Sequence, residues 1–144
     1  MSSTIPMSPA THLVDMLLDA VCMVDEHGTF VYVSAACERI FGYTQDELIG
    51  RHILGLLHPD DIEATLQAAQ RVREGALITH FENRYLRKDG TIVHIMWSAR
   101  WSEEDQLRIA VARDITERKQ YEVMQSAVYA ISEAANSAED LNTL

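Results

Sequence analysis

The segment Arg87-Lys-Asp-Gly-Thr91, set between two runs rich in aromatic and β-branched residues, constrains the fold of this chain more than any other feature. Lys88-Asp89-Gly90 is hairpin-turn chemistry, because Asp hydrogen-bonds its own backbone and Gly takes positive φ without a Cβ clash. The flanking runs, Phe81 to Leu86 and Ile92 to Trp101, are therefore expected to pair as antiparallel strands. Leu107 to Ile115 supplies a third strand after the polar turn Ser102-Glu-Glu-Asp105. Asp114-Ile-Thr-Glu117 then has the spacing of a capping box, so this third strand should lead directly into a helix.

The first half of the chain reads as shorter elements. Ala20 to Val24 and Thr29 to Val33 are apolar strands joined by the turn Asp25-Glu-His-Gly28. Ser34 is placed to cap a helix through Phe41 that stops at Gly42. Thr44-Gln-Asp-Glu47 is a capping box for another short helix closed by Gly50, and Arg51 to Leu57 carries only a short turn. Asp60 to Glu63, behind Pro59, reads as a further capping box that opens a longer helix to about Glu74. Upstream, residues 1–10 are expected to be disordered, and residues 11–19 to form an amphipathic flanking helix with apolar positions at 13, 14, 16 and 17. The order of strand, strand, short helices and three long strands is an α+β arrangement, in which hairpin and meander share one antiparallel sheet with the helices on one face.

At 144 residues and 47% apolar content the chain can fill one domain core with appendages. Twelve Lys and Arg against 22 Asp and Glu, for a net charge of −10, leave no basic face for nucleic acid or for an anionic membrane surface. No apolar run approaches the roughly 20 residues of a membrane span, and the start lacks a signal peptide's charged and apolar regions, which points to the cytoplasm. Cys22 and Cys37 have neither CxxC nor zinc-ligand spacing and read as buried free thiols. His52, His80 and His94 fall on separate elements, and Asp60 with Asp61 reads as capping, so no metal site is expected. There is no Ser/His/Asp or Cys/His arrangement, no phosphate loop and no paired carboxylates outside caps and turns, so no catalytic residue is assigned.

Six short motifs occur together: Val24-Asp-Glu-His-Gly28, Ile40-Phe-Gly-Tyr43, Glu47-Leu-Ile-Gly50, His58-Pro-Asp-Asp61, Arg87-Lys-Asp-Gly90 and Asp114-Ile-Thr-Glu-Arg-Lys119. In this order they make the stretch from about Leu13 to Lys119 resemble a PAS domain. The resemblance implies a five-stranded antiparallel sheet in the order 2-1-5-4-3, with short helices over its inner face and a domain core at residues 20–116. Ser34 departs from the family's common Asn but can still cap. Flavin-binding relatives carry an Asn-Cys pair after the Gly that matches Gly50, where this chain has His52-Ile53. With no sulfur at 53, and Tyr85, Ile95 and Ala112 at the strand positions that would bond a flavin edge, covalent flavin is not expected. Haem-binding relatives place an axial His on the long helix or the loop before it. The helix from Asp61 to Glu74 has none, and His58 in its His-Pro-Asp-Asp setting reads as loop packing, so haem is not expected either.

With the register implied by the resemblance, alternation turns Phe81, Asn83 and Tyr85, then Val93, Ile95, Trp97 and Ala99, then Arg108, Ala110 and Ala112 toward the helices. Ile40, Leu56 and Leu66 would face them. The candidate ligand pocket is thus Ile40, Leu56, Leu66, Phe81, Asn83, Tyr85, Ile95, Trp97, Ala110 and Ala112. Its aromatic rings largely fill the space, so a plain packed core competes with a site for an unidentified small molecule. Ala110 and Ala112 leave room, and Asn83 with Tyr85 would anchor a ligand.

The opposite face carries Met96, Ile109 and Val111, and the flanking segment with Leu13 and Leu17 is its expected cover, from the same chain or a partner. In the exit helix Tyr121, Met124, Val128, Ile131 and Ala135 alternate at spacings of three and four, a seam of about two heptads. Residues 126–144 resemble the entry helix of a GAF domain, so 117–144 reads as an exit helix and the beginning of a following domain. The resulting expectation is a sensory module of a cytoplasmic signalling protein, such as a histidine kinase or a cyclic-dinucleotide enzyme. It would form a parallel homodimer through Leu13, Leu17, Ile109, Val111, Tyr121, Met124, Val128 and Ile131. Asp114, Thr116 and Glu117 would pass the signal to a downstream effector. A ligand-free scaffold that only dimerises is the alternative.

Overall fold

The computed structural model describes residue 13 and residues 15–142, with side chains as far as residue 138. Two compact units divide the chain, Met1–Asp114 and Ile115–Leu144. In the first, five strands, β1 (Ala20–Asp25), β2 (Phe30–Val33), β3 (Ile78–Leu86), β4 (Ile92–Ser102) and β5 (Leu107–Asp114), form one sheet in the order β2-β1-β5-β4-β3. Every pairing is antiparallel. Helices α1 (Ala36–Phe41), α2 (Gln45–Leu48) and α3 (Ile62–Arg73) lie in the connection from β2 to β3. The second unit holds one long helix, α4 (Thr116–Asn142). The α+β class and the strand order are those the sequence implies.

The β3–β4 turn folds back as its residues dictate, with Arg87 N–H donating to the Thr91 carbonyl at 2.8 Å and Thr91 N–H to the Asp89 carboxylate at 2.9 Å. The same turn is fastened to the helices, since Arg87 Nε donates to the Ile40 carbonyl at 3.1 Å and Lys88 N–H to that of Phe41 at 3.2 Å. Gly42 makes this approach possible. It sits at φ 77 as the left-handed end of α1, and a Cβ there would lie 3.3 Å from the Lys88 nitrogen. Widely separated motifs are thus neighbours in space. The β strands alternate as expected, with Val93, Ile95 and Trp97 on β4 and Ala110 and Ala112 on β5 buried in one core with Phe41 and Tyr85.

Several local expectations are corrected. Ser34 does not cap α1: its hydroxyl accepts the Val21 N–H at 2.9 Å, closing the β1–β2 edge, and α1 starts after Ala35 without a side-chain cap. The box at Thr44 and Glu47 does form as expected, and α2 ends at Leu48 with Gly50, at φ 88, just past its cap residue Ile49. Asp60 to Glu63 is not a capping box. His58 Nδ1 accepts the Asp60 N–H and caps a 3-10 turn at Pro59–Asp61, and α3 begins only at Ile62. β3 begins at Ile78, three residues early, because a register shift between Ile78 and Phe81, with His80 at φ 64, lets the strand resume pairing upstream.

The expected disordered start and residues 11, 12 and 14 of the flanking helix lie outside the described residues, and the helix expected to reach residue 19 does not, since residues 16–19 are turn, bend or irregular. Of that segment, the Asp15 carboxylate accepts the Ala35 N–H and the Leu18 carbonyl accepts from Arg39, which fastens it beside α1. Leu13 at 64% and Leu17 at 51% exposure do not serve as the expected cover of the outer sheet face within this chain, and Val111 on that face is itself exposed.

Candidate ligand site

Three aromatic rings define the inner face of the sheet. Tyr85 on β3 and Trp97 on β4, on the same face though four positions apart in register, bring their rings to 5.8 Å, and Phe41 from α1 packs edge-on against Tyr85 at 5.4 Å and stacks on Trp97 at 6.5 Å. A polar chain runs through this core. Trp97 Nε1 donates to Asn83 Oδ1 at 2.8 Å, and Asn83 Nδ2 donates to Thr65 Oγ1 on α3 at 3.0 Å. Asn83 is therefore engaged at both ends within the fold, so its first role is to hold the Trp97 ring and to choose which face of α3 turns inward. Burial pushes the Tyr85 phenol well above its ordinary pKa, so it stays protonated.

Between α3 and the sheet lies a cavity of about 50 Å3. A water needs about 10 to 15 Å3 of such space, so it holds a few waters or a small organic group. Of the ten pocket residues expected from sequence, Phe81, Asn83, Tyr85, Trp97 and Ala110 line it. Ile40, Leu56, Ile95 and Ala112 are buried in the core but not on the cavity wall. Leu66 is a correction, being 47% exposed, because α3 turns Thr65, Ala68 and Val72 inward and places residue 66 about 100° away. Sequence reasoning missed Val24, Phe30, Ile53, Thr65, Ala68, Ala69, Val72 and Ile78. The spacing of 65, 68 and 72 was the available signal, obscured by the polarity of Thr65.

A cleft of about 250 Å3 opens beside the cavity, bounded by the β1–β2 turn, His52, Leu66, Arg73 and Trp101. Its rim is held by His52, whose Nδ1 accepts the Leu54 N–H at 3.1 Å while Nε2 donates to the His27 carbonyl at 2.6 Å. Gly28 permits this, since a Cβ there would fall 2.8 Å from His52 Nε2. Arg73 pairs with Glu26 at 3.2 Å and lies 4.8 Å over the Trp101 ring. Among the described residues no group of three His, Cys, Asp or Glu is placed to hold a metal ion. Cys22 and Cys37 are free and buried with sulfurs 3.6 Å apart, and their mutual hydrogen bond, with burial, raises the Cys22 thiol pKa.

Asp61 carries a role unlike capping. Its carboxylate accepts the Arg84 N–H at 2.7 Å and the Arg84 guanidinium at 2.8 and 3.0 Å, tying the start of α3 to β3. Hydrogen bonding from Arg84 holds the Asp61 carboxyl below its ordinary 3.8. Because the folded value is the lower one, this stabilisation is complete above the ordinary value and fades as pH falls through the folded one. Asp61→Asn should cost about 1.5 to 3 kcal/mol at neutral pH, and the gap between the two proteins in urea denaturation should narrow on acidification below about pH 4. A gap that stays constant would show that the pair is not the cause. At the far end of the sheet Asp114 closes β5 and pairs with Arg87 at 3.4 Å, whereas Thr116 and Glu117 stand in the first turn of α4.

Residues 30–112 match the family model described as the PAS fold, more than half of the chain, and the chain belongs to the PAS family. Solved structures agree in fold. A PAS domain from Colwellia psychrerythraea is 25% identical with a TM-score of 0.63, covering 75% of this chain and 95% of that one. A domain of a sensory box sensor histidine kinase/response regulator from Geobacter sulfurreducens is 23% identical with a TM-score of 0.61, covering 73% and 90%. An RNA-binding light-oxygen-voltage receptor is 21% identical with a TM-score of 0.68, covering 94% of this chain and 41% of that one. No curated protein matches this chain. The family makes it a sensory signalling module rather than a catalyst, and among the described residues no helix is long and apolar enough to cross a membrane.

Proposed function

We propose that this chain is the regulatory sensor and dimerisation module of a multidomain cytoplasmic signalling protein. In it a small molecule held under α3 biases the geometry of α4 and thereby a downstream effector. A histidine kinase or a cyclic-dinucleotide enzyme is the effector class, and the resemblance of residues 126–144 to a GAF entry helix is consistent with a further domain between the two. The observation that carries the reading is the surface of α4. Tyr121, Met124, Val128 and Ile131 lie at seam spacing along a 27-residue helix and are 58 to 69% exposed. Leaving such a stripe in water costs about 25 cal/mol for each Å2. A second copy covers it. A parallel two-fold dimer would also use Leu13, Leu17, Ile109 and Val111, and would set two exit helices side by side.

Ligand chemistry acts on that dimer only through its difference in affinity for two states of the sheet. Asp114, Thr116 and Glu117, at the end of β5 and the start of α4, are the positions through which such a difference passes. The cavity size and Ile53 on its wall favour a colourless ligand over flavin, and the absence of His from α3 disfavours haem. The dense packing of Phe41, Tyr85 and Trp97 favours a second reading, a scaffold that dimerises without a ligand. Sedimentation at tens of micromolar tests the shared part of both. A dimer is expected, and a monomer would remove dimerisation from this segment.

A further inference from the structure

Arg108 is the second residue of β5, on the inner face of the sheet, partly buried, and it forms part of the wall of both the cavity and the cleft beside it. Ile53 and Ala69 are shared in the same way. The cavity and the cleft therefore meet at a guanidinium. The other partly buried arginines, Arg84 and Arg87, reach the carboxylates of Asp61 and Asp114, and even the more exposed Arg73 and Arg113 reach Glu26 and Asp19. Among the described residues none offers Arg108 a carboxylate or any other hydrogen-bond acceptor. The titratable groups that act on it, Tyr85 and Cys22, are both held protonated by their surroundings, so neither supplies a negative charge.

The acids on the cleft rim are already committed. The Asp25 carboxylate accepts the N–H groups of His27 and Thr29 at 2.9 and 3.0 Å, and Glu26 pairs with Arg73. One cation thus stands without an anion at the mouth of a space whose deeper walls are Phe30, Ala68, Val72, Phe81 and Trp97. A guanidinium binds a carboxylate through two parallel hydrogen bonds, and an apolar cavity takes a hydrocarbon or aryl group. A second carboxylate on the same ligand would face Asp25 and Glu26.

We propose that Arg108 anchors the carboxylate of a small monocarboxylic acid whose apolar body enters the cavity beneath α3. This rests on the sensor reading and names its ligand class. Desolvation lowers the Arg108 guanidinium pKa from its ordinary value, and an incoming anion relieves that penalty. Trp97 on the cavity and Trp101 on the cleft are the two tryptophans of the chain, so their emission reports occupancy directly.

The test titrates the protein at neutral pH with isovalerate and benzoate, and with isovaleramide and benzamide as neutral twins, following tryptophan emission. At least one acid should give a saturable change, with its amide about tenfold weaker or more, as expected for loss of a charge-assisted pair. Arg108→Gln should abolish the preference for acid over amide, and Arg108→Lys should keep part of it. Equal binding of acid and amide overturns the proposal with the wild-type protein alone, whether or not a variant folds. Unchanged acid binding by Arg108→Gln overturns it as well. If no probe binds, the purified protein separates the two failures: a bound molecule without a carboxylate refutes the Arg108 anchor only, a bound monocarboxylic acid upholds it, and an empty cavity refutes the sensor reading too.

Discussion

Trp97→Ala is expected to destabilise the domain by about 3 to 5 kcal/mol, the range for deleting a large buried ring. The ring is 9% exposed, packs on Phe41 and Tyr85, and donates through Nε1 to Asn83. Its removal opens a void on the sheet's inner face and leaves Asn83 Oδ1 without its donor, so the link from Asn83 to Thr65 loses its anchor as well. Urea denaturation of both proteins measures the change. A difference within ~0.5 kcal/mol would mean that the ring is not a core element, and the assigned inner face of β4 would fall with it.

The second large effect is on assembly. Val128→Glu combined with Ile131→Glu should convert a dimer to a monomer while leaving the Met1–Asp114 unit folded. Both residues lie on α4, at 58 and 69% exposure, and neither belongs to the buried core of the first unit. Four carboxylates brought together at a two-fold seam would repel and would have to be desolvated. Sedimentation at matched concentrations reads the outcome. A double variant that stays dimeric would move the interface to other surfaces, with Ile109 and Val111 on the outer sheet face the first to be tested.

The elements legible in the sequence were those fixed by neighbours along the chain. The turn at 87–91, the Gly42 stop, the capping box at Thr44 and the alternation of β4 need only local chemistry, and the family motifs then set the strand order. What was misread depends on partners far away. Asp61 looks like a cap from its place before a helix, but its carboxylate is engaged by Arg84, 23 residues on. Ser34 likewise serves Val21 rather than the helix that follows it. Leu66 is the more apolar choice for an inward position, but Asn83 needs a hydrogen-bond partner, so α3 turns Thr65 inward instead. The cavity was half legible for the same reason. Its sheet wall follows from alternation, while its α3 wall follows from that one buried contact.

The central claim, that this PAS module holds a small molecule, is tested most directly by mass spectrometry of the purified protein, native and denatured, together with its absorption spectrum. A stoichiometric small molecule lost on denaturation, without a flavin or Soret band, is the expected result. Identical native and denatured masses would contradict it and leave a dimerisation scaffold, and a stoichiometric flavin or haem band would contradict the ligand class.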